Sequence, residues 1–473
     1  MSPTRRQALK TLAGTSAAAA AATLAAPGAA WAVSGSARSQ GTVLERDVCV
    51  IGGGSSGTYT AVRLRDLGSS VVLVEHKNRL GGHCETYTDP ATGLSTDIGV
   101  EVFNDLPVVR DYFGRFGVPL VSFTEGSGPA PAYADFRSGK IVEAYAPPVP
   151  TALGTYFGIL QQYPYLAAGY DLPDPVPAAL LQPWGDFVAA NGLDSIAQLA
   201  FQYAEGLNDL LRLPTLYVLK NFGLNVIESI LTGGFLATPN HNSSALYEAA
   251  SAFLGRDVLL GTSVVATQRD DQHGVQLLAA TPQGPVTIRA RKLVITIPTL
   301  PRTLAPFDLD AVELGLFSRF RQGNYYTALV RLPGVPDAMS VQNIGADTPY
   351  NIPPLPAAYS LLASHVPGLF NVKYASHTPL SDDVVRASML ESIVRLQATG
   401  TIPPTHPVFV DYSSHTPFEL TVSAAEIAGG FYSSLYALQG RRSTYWNGAA
   451  FHDHNSALLW QFTERLIPAI TGR

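Results

Sequence analysis

The chain has 473 residues, a formal charge of −6 and only 14% charged side chains. That length accommodates two domains or one composite fold with a sizeable core. The small negative balance leaves no basic stripe for nucleic acid, and 46% hydrophobic residues suit a globular enzyme rather than a disordered chain.

Read from the start, Thr4-Arg5-Arg6-Gln7-Ala8-Leu9-Lys10 is a twin-arginine pattern followed by an Ala-rich stretch. Ala30-Trp31-Ala32 then reads as a small-residue cleavage site. Residues 1–32 are therefore expected to be a signal peptide and 33–42 a Ser/Gly-rich linker, with the mature protein exported to the cell envelope or exterior. Thr, Ser, Gly and Pro interrupt the apolar stretch, which argues against a permanent membrane span. The twin-arginine route carries folded proteins, so it suits a chain that takes up a cofactor before crossing.

Residues 47–51 (DVCVI) form a short apolar run, read as a strand buried on both faces. Gly52-x-Gly54-x-x-Gly57 follows, with Ser56 in the turn, then helical spacing over 58–67 and a second strand over 71–74 that ends at Glu75. Gly52 permits a tight turn, Gly54 lets backbone approach a pyrophosphate, and Gly57 lets helix and strand pack closely. The helix N-terminus offers amides to phosphate, and Glu75 is positioned for a ribose diol. The two cysteines, Cys49 and Cys84, are either a disulfide or two buried thiols.

A second glycine doublet, Arg79-Leu80-Gly81-Gly82-His83, follows the acidic residue and precedes Asp97-Ile98-Gly99-Val100-Glu101. Together these motifs resemble the flavin-containing amine oxidase and phytoene desaturase superfamily, in which the doublet lies against the pyrophosphate of FAD. The resemblance implies FAD as cofactor and brings Arg79, Gly81, Gly82 and His83 into its site. His83 stands where the family usually has arginine or lysine, so charge compensation there is expected to be weaker or pH-dependent. It also implies that Val264 offers its backbone to adenine, that 292–298 (KLVITIP) is a strand leading to a proline near the cofactor, and that 444–449 (TYWNGA) is the final flavin-binding segment with Gly448 and Ala449. The family often carries an acidic residue at the Ala449 position. The helix over 455–466, beginning at Asn455, would aim its N-terminus at the flavin.

The expected fold is α/β (α+β overall): a discontinuous Rossmann-type FAD-binding domain over 43–105, 245–305 and 430–473, and a mixed helix and antiparallel-sheet substrate domain over 106–244 and 306–429. Helical spacing covers 186–211 and 216–231, the proline-rich 147–184 reads as connector, and 324–332, 359–363 and 370–375 read as antiparallel strands. Within the superfamily the chain is most similar to polyenoic fatty acid isomerase and β-cyclopiazonate dehydrogenase-like flavoproteins. The similarity rests on the N-terminal motifs, 183–192 (PWGDFVAANG), 216–221 (LYVLKN) and 438–445 (LQGRRSTY). The isomerase grips its fatty acid carboxylate with an arginine in a segment matching 130–136, where this chain has none before Arg137, and its aromatic gate falls near Ile230.

Candidates for the wall around the reacting atoms are Trp446, Tyr325, Tyr326 and Lys373. Tyr325 and Tyr326 are adjacent on a strand, so only one can face inward, and packing is the alternative for each. Lys373 is either a flavin-side lysine, as in the amine oxidase branch, or a surface lysine on an edge strand. His452-x-His454 lacks the spacing and third ligand of a zinc site, and Asp411, Ser414 and His415 lack the G-x-S-x-G elbow of a hydrolase. Leu231-Thr232-Gly233-Gly234 lacks the strand needed for a nicotinamide site. These features lead to the expectation of an FAD-dependent oxidoreductase that takes hydride from a lipophilic small molecule, with dioxygen as acceptor. A redox-neutral double-bond isomerase is the alternative, and a flavin binder without catalysis stands third.

Overall fold

The computed structural model describes residues 42–123, 129–204 and 206–473, so the expected leader lies outside the described residues. Two seven-stranded sheets organise them. The first contains β1 (Thr42–Ile51) and β2 (Val71–Val74), which pair in parallel. Val258–Leu259 extends the set beyond β2, and Gly284–Ile295 and then Thr444–Trp446 extend it beyond β1, all in parallel. Val48–Ile51 and β2 are buried on both faces, which is why they read as unbroken apolar runs. Gly284–Ile295 serves twice. One side pairs with β1 from Val286 to Ile295; on the other, its first half turns back against Gly274–Thr281 in an antiparallel meander and Leu293–Ile295 pair with Thr444–Trp446.

Helix α1 (Ser55–Asp66) runs beside the C-terminal helix Ser456–Thr471. Trp460 Nε1 donates to the Ser55 carbonyl, the Asn447 amide bridges the Thr60 and Thr463 hydroxyls, and Arg63 pairs with Glu464. These contacts advance along both helices together, so the helices are parallel and their N-termini share one end. The positive ends of two helix dipoles therefore converge.

The second sheet runs in the order Val408–Ser414, Asn324–Arg331, Leu369–Ser376, Ala357–Ala363, Val341–Asn343, Ala132–Asp135, Lys140–Ile141. Leu369–Ser376 pairs antiparallel with Asn324–Arg331 and with Ala357–Ala363, as expected, and Val408–Ser414 adds an antiparallel edge. The helix Asp382–Ala398 covers one face, packing Val385, Met389 and Ile393 against Tyr326, Val372 and Tyr374. The opposite face joins the main core through Tyr325, Tyr359 and Ala375.

Two expectations are corrected. The spacing that suggested long helices over 186–211 and 216–231 is cut into Trp184–Asn191, Asp194–Tyr203, Thr215–Asn221 and Leu224–Thr232. Gly192, at φ 62°, ends the first of these in the left-handed conformation, and Gly223 caps the last. The proline-rich 147–184 is not merely connector: it holds the helix Pro150–Leu160, whose proline sits in the first turn where no amide is needed. Gly233, φ 68°, is simply a helix C-cap. Cys49 and Cys84 are free and buried, and the Cys84 thiol contacts the Tyr247 hydroxyl at 3.4 Å.

A buried ion cluster locks the meander to the C-terminal strand. Arg269, with no exposed side-chain surface, holds Asp308 at 2.8 Å and both oxygens of the buried Glu313 at 2.7 and 2.9 Å, and its guanidinium lies 5.7 Å from the Trp446 ring. Arg442 reaches Glu313 at 3.4 Å. Arg269→Met leaves the buried Glu313 with only Arg442 and the Asp310 amide, which donates to it at 3.0 Å, so a loss of about 3 kcal/mol is expected in urea unfolding. A loss below about 1 kcal/mol, the range of exposed pairs, would mean the cluster is not a structural tie.

Candidate flavin site and the junction beside it

The loops that follow the parallel strands gather at one edge. The amides of Gly52, Thr296 and Asn447 donate to the carbonyls of Val74, Ile51 and Ile295, each at 2.9 Å. An open parallel sheet binds its ligand at this carboxyl edge. The glycines there divide by role. A Cβ on Gly57 would stand 1.9 Å from the Gly52 carbonyl oxygen, and one on Gly82, φ 59°, 2.8 Å from Gly54 Cα. These two positions are closed by the protein itself. A Cβ on Gly54 would meet only Gly82 Cα, at 3.8 Å, so that face is open. No side chain caps the N-terminus of α1, which leaves amides for an anion there. An open glycine face beside uncapped helix amides fits the pyrophosphate of FAD. Gly448, φ 102°, is held in the left-handed region against the Thr296 carbonyl, and Ala449 begins the short turn that follows it.

Other expected cofactor residues cluster at the same edge. Glu75 is buried and accepts from the amides of Gly53 (2.6 Å) and Lys77 (2.7 Å). Its carboxylate keeps lone pairs for a ribose diol. The Thr262 amide donates to the Glu75 carbonyl at 2.9 Å, which brings the segment entering Val264 alongside. Ser56 is buried in the first turn of α1. Arg79 grips the doublet loop, donating to the carbonyls of Leu80, Gly82 and Cys84, and pairs with Glu85 at 2.7 Å. Gly81 lies inside this loop at φ 110°. Asn455 caps the C-terminal helix, accepting from the Ala457 and Leu458 amides, and its own amide donates to Asn104 at 2.5 Å. Its side chain is occupied in capping, and the amides of that helix end are the groups aimed at this edge.

His83 turns its ring toward the second sheet. Its ring lies 4.4 Å from His415 and 5.4 Å from Phe418, at the junction with the second sheet. The basic groups on the doublet are Lys77, whose ammonium donates to the Gly82 carbonyl at 3.2 Å, and Arg79. Burial, reinforced by Lys77, pulls the His83 imidazole down to about 4. Burial and then His83 hold His415 well below the usual imidazole range. Both rings are neutral at pH 7. Tyr325 flanks them, 5.2 Å from His415 and 5.3 Å from Phe418. The Phe418 ring also lies 4.0 Å from that of His454. Ser413, on the neighbouring edge strand, donates to Glu85 at 2.7 Å and ties this wall to the doublet loop.

The four catalytic candidates separate. Tyr325 faces the junction. Tyr326 points the other way, into the core under Asp382–Ala398, where its hydroxyl accepts the Leu380 amide at 2.8 Å. Lys373 is opposite Thr327 in register, so it shares a face with Tyr325. Its strand is central, between Asn324–Arg331 and Ala357–Ala363, not an edge. Trp446 is fully buried against Phe317, Phe451 and Arg269, away from the ring cluster. Its good position in the sequence reflects the strand that carries it to the sheet, not a contact at the junction.

Sequence reasoning missed His415, Phe418, Glu419 and His454. The first was discounted with the hydrolase pattern and the last with the metal pattern, since neither motif by itself indicated another use. The paired histidines in fact diverge: His452 packs on Phe462 at 5.2 Å and His454 on Phe418. Polar residues beside an aromatic at a strand end (His415-x-x-Phe418-Glu419) were the available signal.

Comparison with known proteins agrees with this geometry. Residues 50–116 match the NAD(P)-binding Rossmann-like domain. The chain is 38% identical to the FAD-dependent oxidoreductase oblC of Cochliobolus heterostrophus, over 89% of this chain and 90% of that one. It is 37% identical to the β-cyclopiazonate dehydrogenase of Aspergillus oryzae, over 90% and 92%. In fold it is similar to the CLA-producing fatty acid isomerase from P. acnes (TM-score 0.72, 19% identity, 90% of this chain and 98% of that one). It is also similar to putrescine oxidase (TM-score 0.65, 16% identity, 91% and 100%). Fold and site together define a flavin-dependent redox enzyme. The chain belongs to the family of FAD-dependent oxidoreductases represented by these relatives, and FAD is its cofactor.

The glycine geometry separates two variants. Gly54→Ala adds a methyl only to the open face, so it should fold normally and purify with most of its flavin lost. Gly57→Ala drives a methyl into the Gly52 carbonyl and should also lose about 1–3 kcal/mol of stability. Flavin absorbance and thermal unfolding read the two effects. A Gly54→Ala protein with full flavin content would remove the pyrophosphate from that face.

Proposed function

We propose that this enzyme is an oxidase: it removes two hydrogens from a neutral or amine-bearing lipophilic molecule and passes the electrons to dioxygen. FAD, when bound, accepts the hydride and later yields two electrons to the acceptor. The chain supplies position, dryness and charge. The observation that carries the oxidase reading is Lys373, a half-buried lysine on the Tyr325 face of a central strand. Positive charge near the reacting centre favours electron transfer to dioxygen, whose reduction creates negative charge. His83, His415, Phe418 and Tyr325 form a largely aromatic wall, neutral at pH 7, that excludes water and suits an uncharged substrate. Arg137, the nearest arginine to the family's carboxylate-gripping segment, is committed to Asp135 and Asp347 and is 45% exposed. A fatty acid carboxylate would therefore lack that partner here.

The reading is tested by an anaerobic flavin spectrum with a panel of unsaturated fatty acids, amines and prenylated or indolic small molecules. An oxidase should bleach once, and product beyond one equivalent should form only after air is admitted, with peroxide. Product that accumulates over many turnovers without air would make the enzyme an isomerase. We also infer export by the twin-arginine route with FAD already bound. In a host possessing that route, the double variant Arg5→Lys and Arg6→Lys should leave flavin-loaded precursor in the cytoplasm and little protein outside. Equal export of the double variant would exclude the route.

A further inference from the structure

A second polar cluster lies immediately behind the ring wall and takes no part in the functions above. Glu419 follows Phe418 in the chain and is buried at 5% exposure. Its Oε1 lies 3.6 Å from His454 Nε2, and neither atom has a hydrogen-bond partner among the described residues. His454 keeps 18% of its side chain accessible, and its ring packs 4.0 Å from that of Phe418, which places it against the ring wall. Asp453, also 5% exposed, accepts the Asn455 amide on Oδ1 at 2.8 Å. Its Oδ2 is 3.9 Å from Lys220 Nζ. Lys220 has no exposed side-chain surface; it donates to the Leu166 carbonyl at 2.9 Å, lies 3.3 Å from His452 Nδ1 and sits 4.8 Å from the Tyr170 ring centroid.

These groups lead outward. Lys220 and Asp453 line a cavity of about 10 Å³, room for about one water, whose outer side is formed by the partly exposed Tyr163, Asn225 and Val226. The charge balance is simple. One lysine neutralises one carboxylate, and burial followed by Asp453 drives Glu419 well above the usual carboxyl range. Burial also raises Asp453, against the pull of Lys220. The negative charge of Asp453 thus favours a protonated Glu419, and interacting carboxyls of this kind titrate together rather than singly. Burial draws Lys220 down to about 8 and His454 to about 3, so the histidine is neutral and able to pass a proton. Burying three ionisable groups where apolar side chains would pack is costly unless they serve a purpose.

We propose that Glu419, against His454, and Asp453, against Lys220, receive through His454 the proton released in substrate oxidation and discharge it into the Lys220 cavity. This rests on the oxidase reading. A dehydrogenated H–C–X–H group (X being carbon, nitrogen or oxygen) forms a C=X bond by losing a hydride and a proton. The hydride goes to FAD, and the proton goes to the carboxyl pair. Dioxygen then takes up the two electrons and two protons as hydrogen peroxide, which closes the balance. His454 is the group bordering the junction, while Glu419, Asp453 and Lys220 act through it.

The test uses the full-length, FAD-loaded enzyme. Infrared spectra in H₂O and D₂O should contain the solvent-sensitive carbonyl stretch of a buried protonated carboxyl that disappears in Glu419→Gln. Asp97, which burial lifts to about 7, contributes to the same region but its part should persist in that variant. Anaerobic flavin reduction by an active panel compound should slow on the order of 10²-fold in Glu419→Gln, and Glu419→Asp should recover part of the rate. If the amide variant does not fold, Glu419→Asp serves alone, with a shifted band and a slower reduction. A reducible wild-type enzyme with no Glu419-dependent band, or a variant that reduces at the wild-type rate, overturns the relay. A wild-type flavin that no compound reduces overturns the oxidase reading, and the relay's role with it.

Discussion

The near-contact of Gly54 and Gly82 fixes the register of the whole site. With a Cβ at Gly82 excluded by Gly54 Cα at 2.8 Å, the doublet loop can meet the first glycine loop only with bare backbone at that position. From that meeting the remaining contacts follow in sequence. Arg79 and Lys77 hold the doublet by its carbonyls, Arg79 holds Glu85, and Glu85 holds Ser413 on the edge of the second sheet. The wall formed by Tyr325, His415 and Phe418 is thus positioned from the nucleotide loops through a chain of polar contacts, rather than by general packing alone. A small residue requirement at one point becomes an alignment between two sheets.

The junction so formed is aromatic and polar at once. Its histidines are stripped of charge by burial, while the charges that remain are held behind it, at Lys220 and the two carboxyls, or on the face of the second sheet, at Lys373. Neutral rings thus stand in front of the ionisable groups, whose desolvation is met by their own partners behind the wall. That arrangement also places the titratable groups where a low dielectric lets small displacements of charge matter. The same principle holds elsewhere at lower stakes, where Arg269 and Glu313 neutralise each other beneath the sheet.

The cofactor half of the molecule was legible because its constraints are local. Gly52, Gly54 and Gly57 encode a turn and two close approaches within six residues, and Glu75 closes the adjacent strand. Alternation in the second sheet was equally legible: adjacent tyrosines had to face opposite ways, and Tyr325 and Tyr326 do. What escaped were facts that depend on distant residues meeting. Whether Lys373 sat on an edge or in the middle depended on Ala357–Ala363 pairing beside it. Trp446 seemed well placed by its distance from Gly448, but a side chain in that strand faces Arg269 and Phe317. His83 appeared to replace a phosphate-facing cation, and only the fold showed it turning toward His415. Helix ends were misjudged for a simpler reason: periodicity continues across Gly192 and Gly223, while the backbone does not.

The strand Gly284–Ile295 has a consequence for how the protein comes into being. It is bordered by β1, made much earlier in synthesis, and by Thr444–Trp446, made much later. The parallel sheet therefore stays open on one side until translation has passed residue 446, and the loop bearing Gly448 has nowhere to dock before then. Pairings this remote in sequence carry a large loop-closure cost and slow the search for the native state. During that interval the exposed edge of the long strand is a place for mispairing. A ligand that binds both the first glycine loop and the last would favour the closed sheet by mass action. Flavin that bridged those two loops would thus weigh on assembly of the sheet as well as on chemistry.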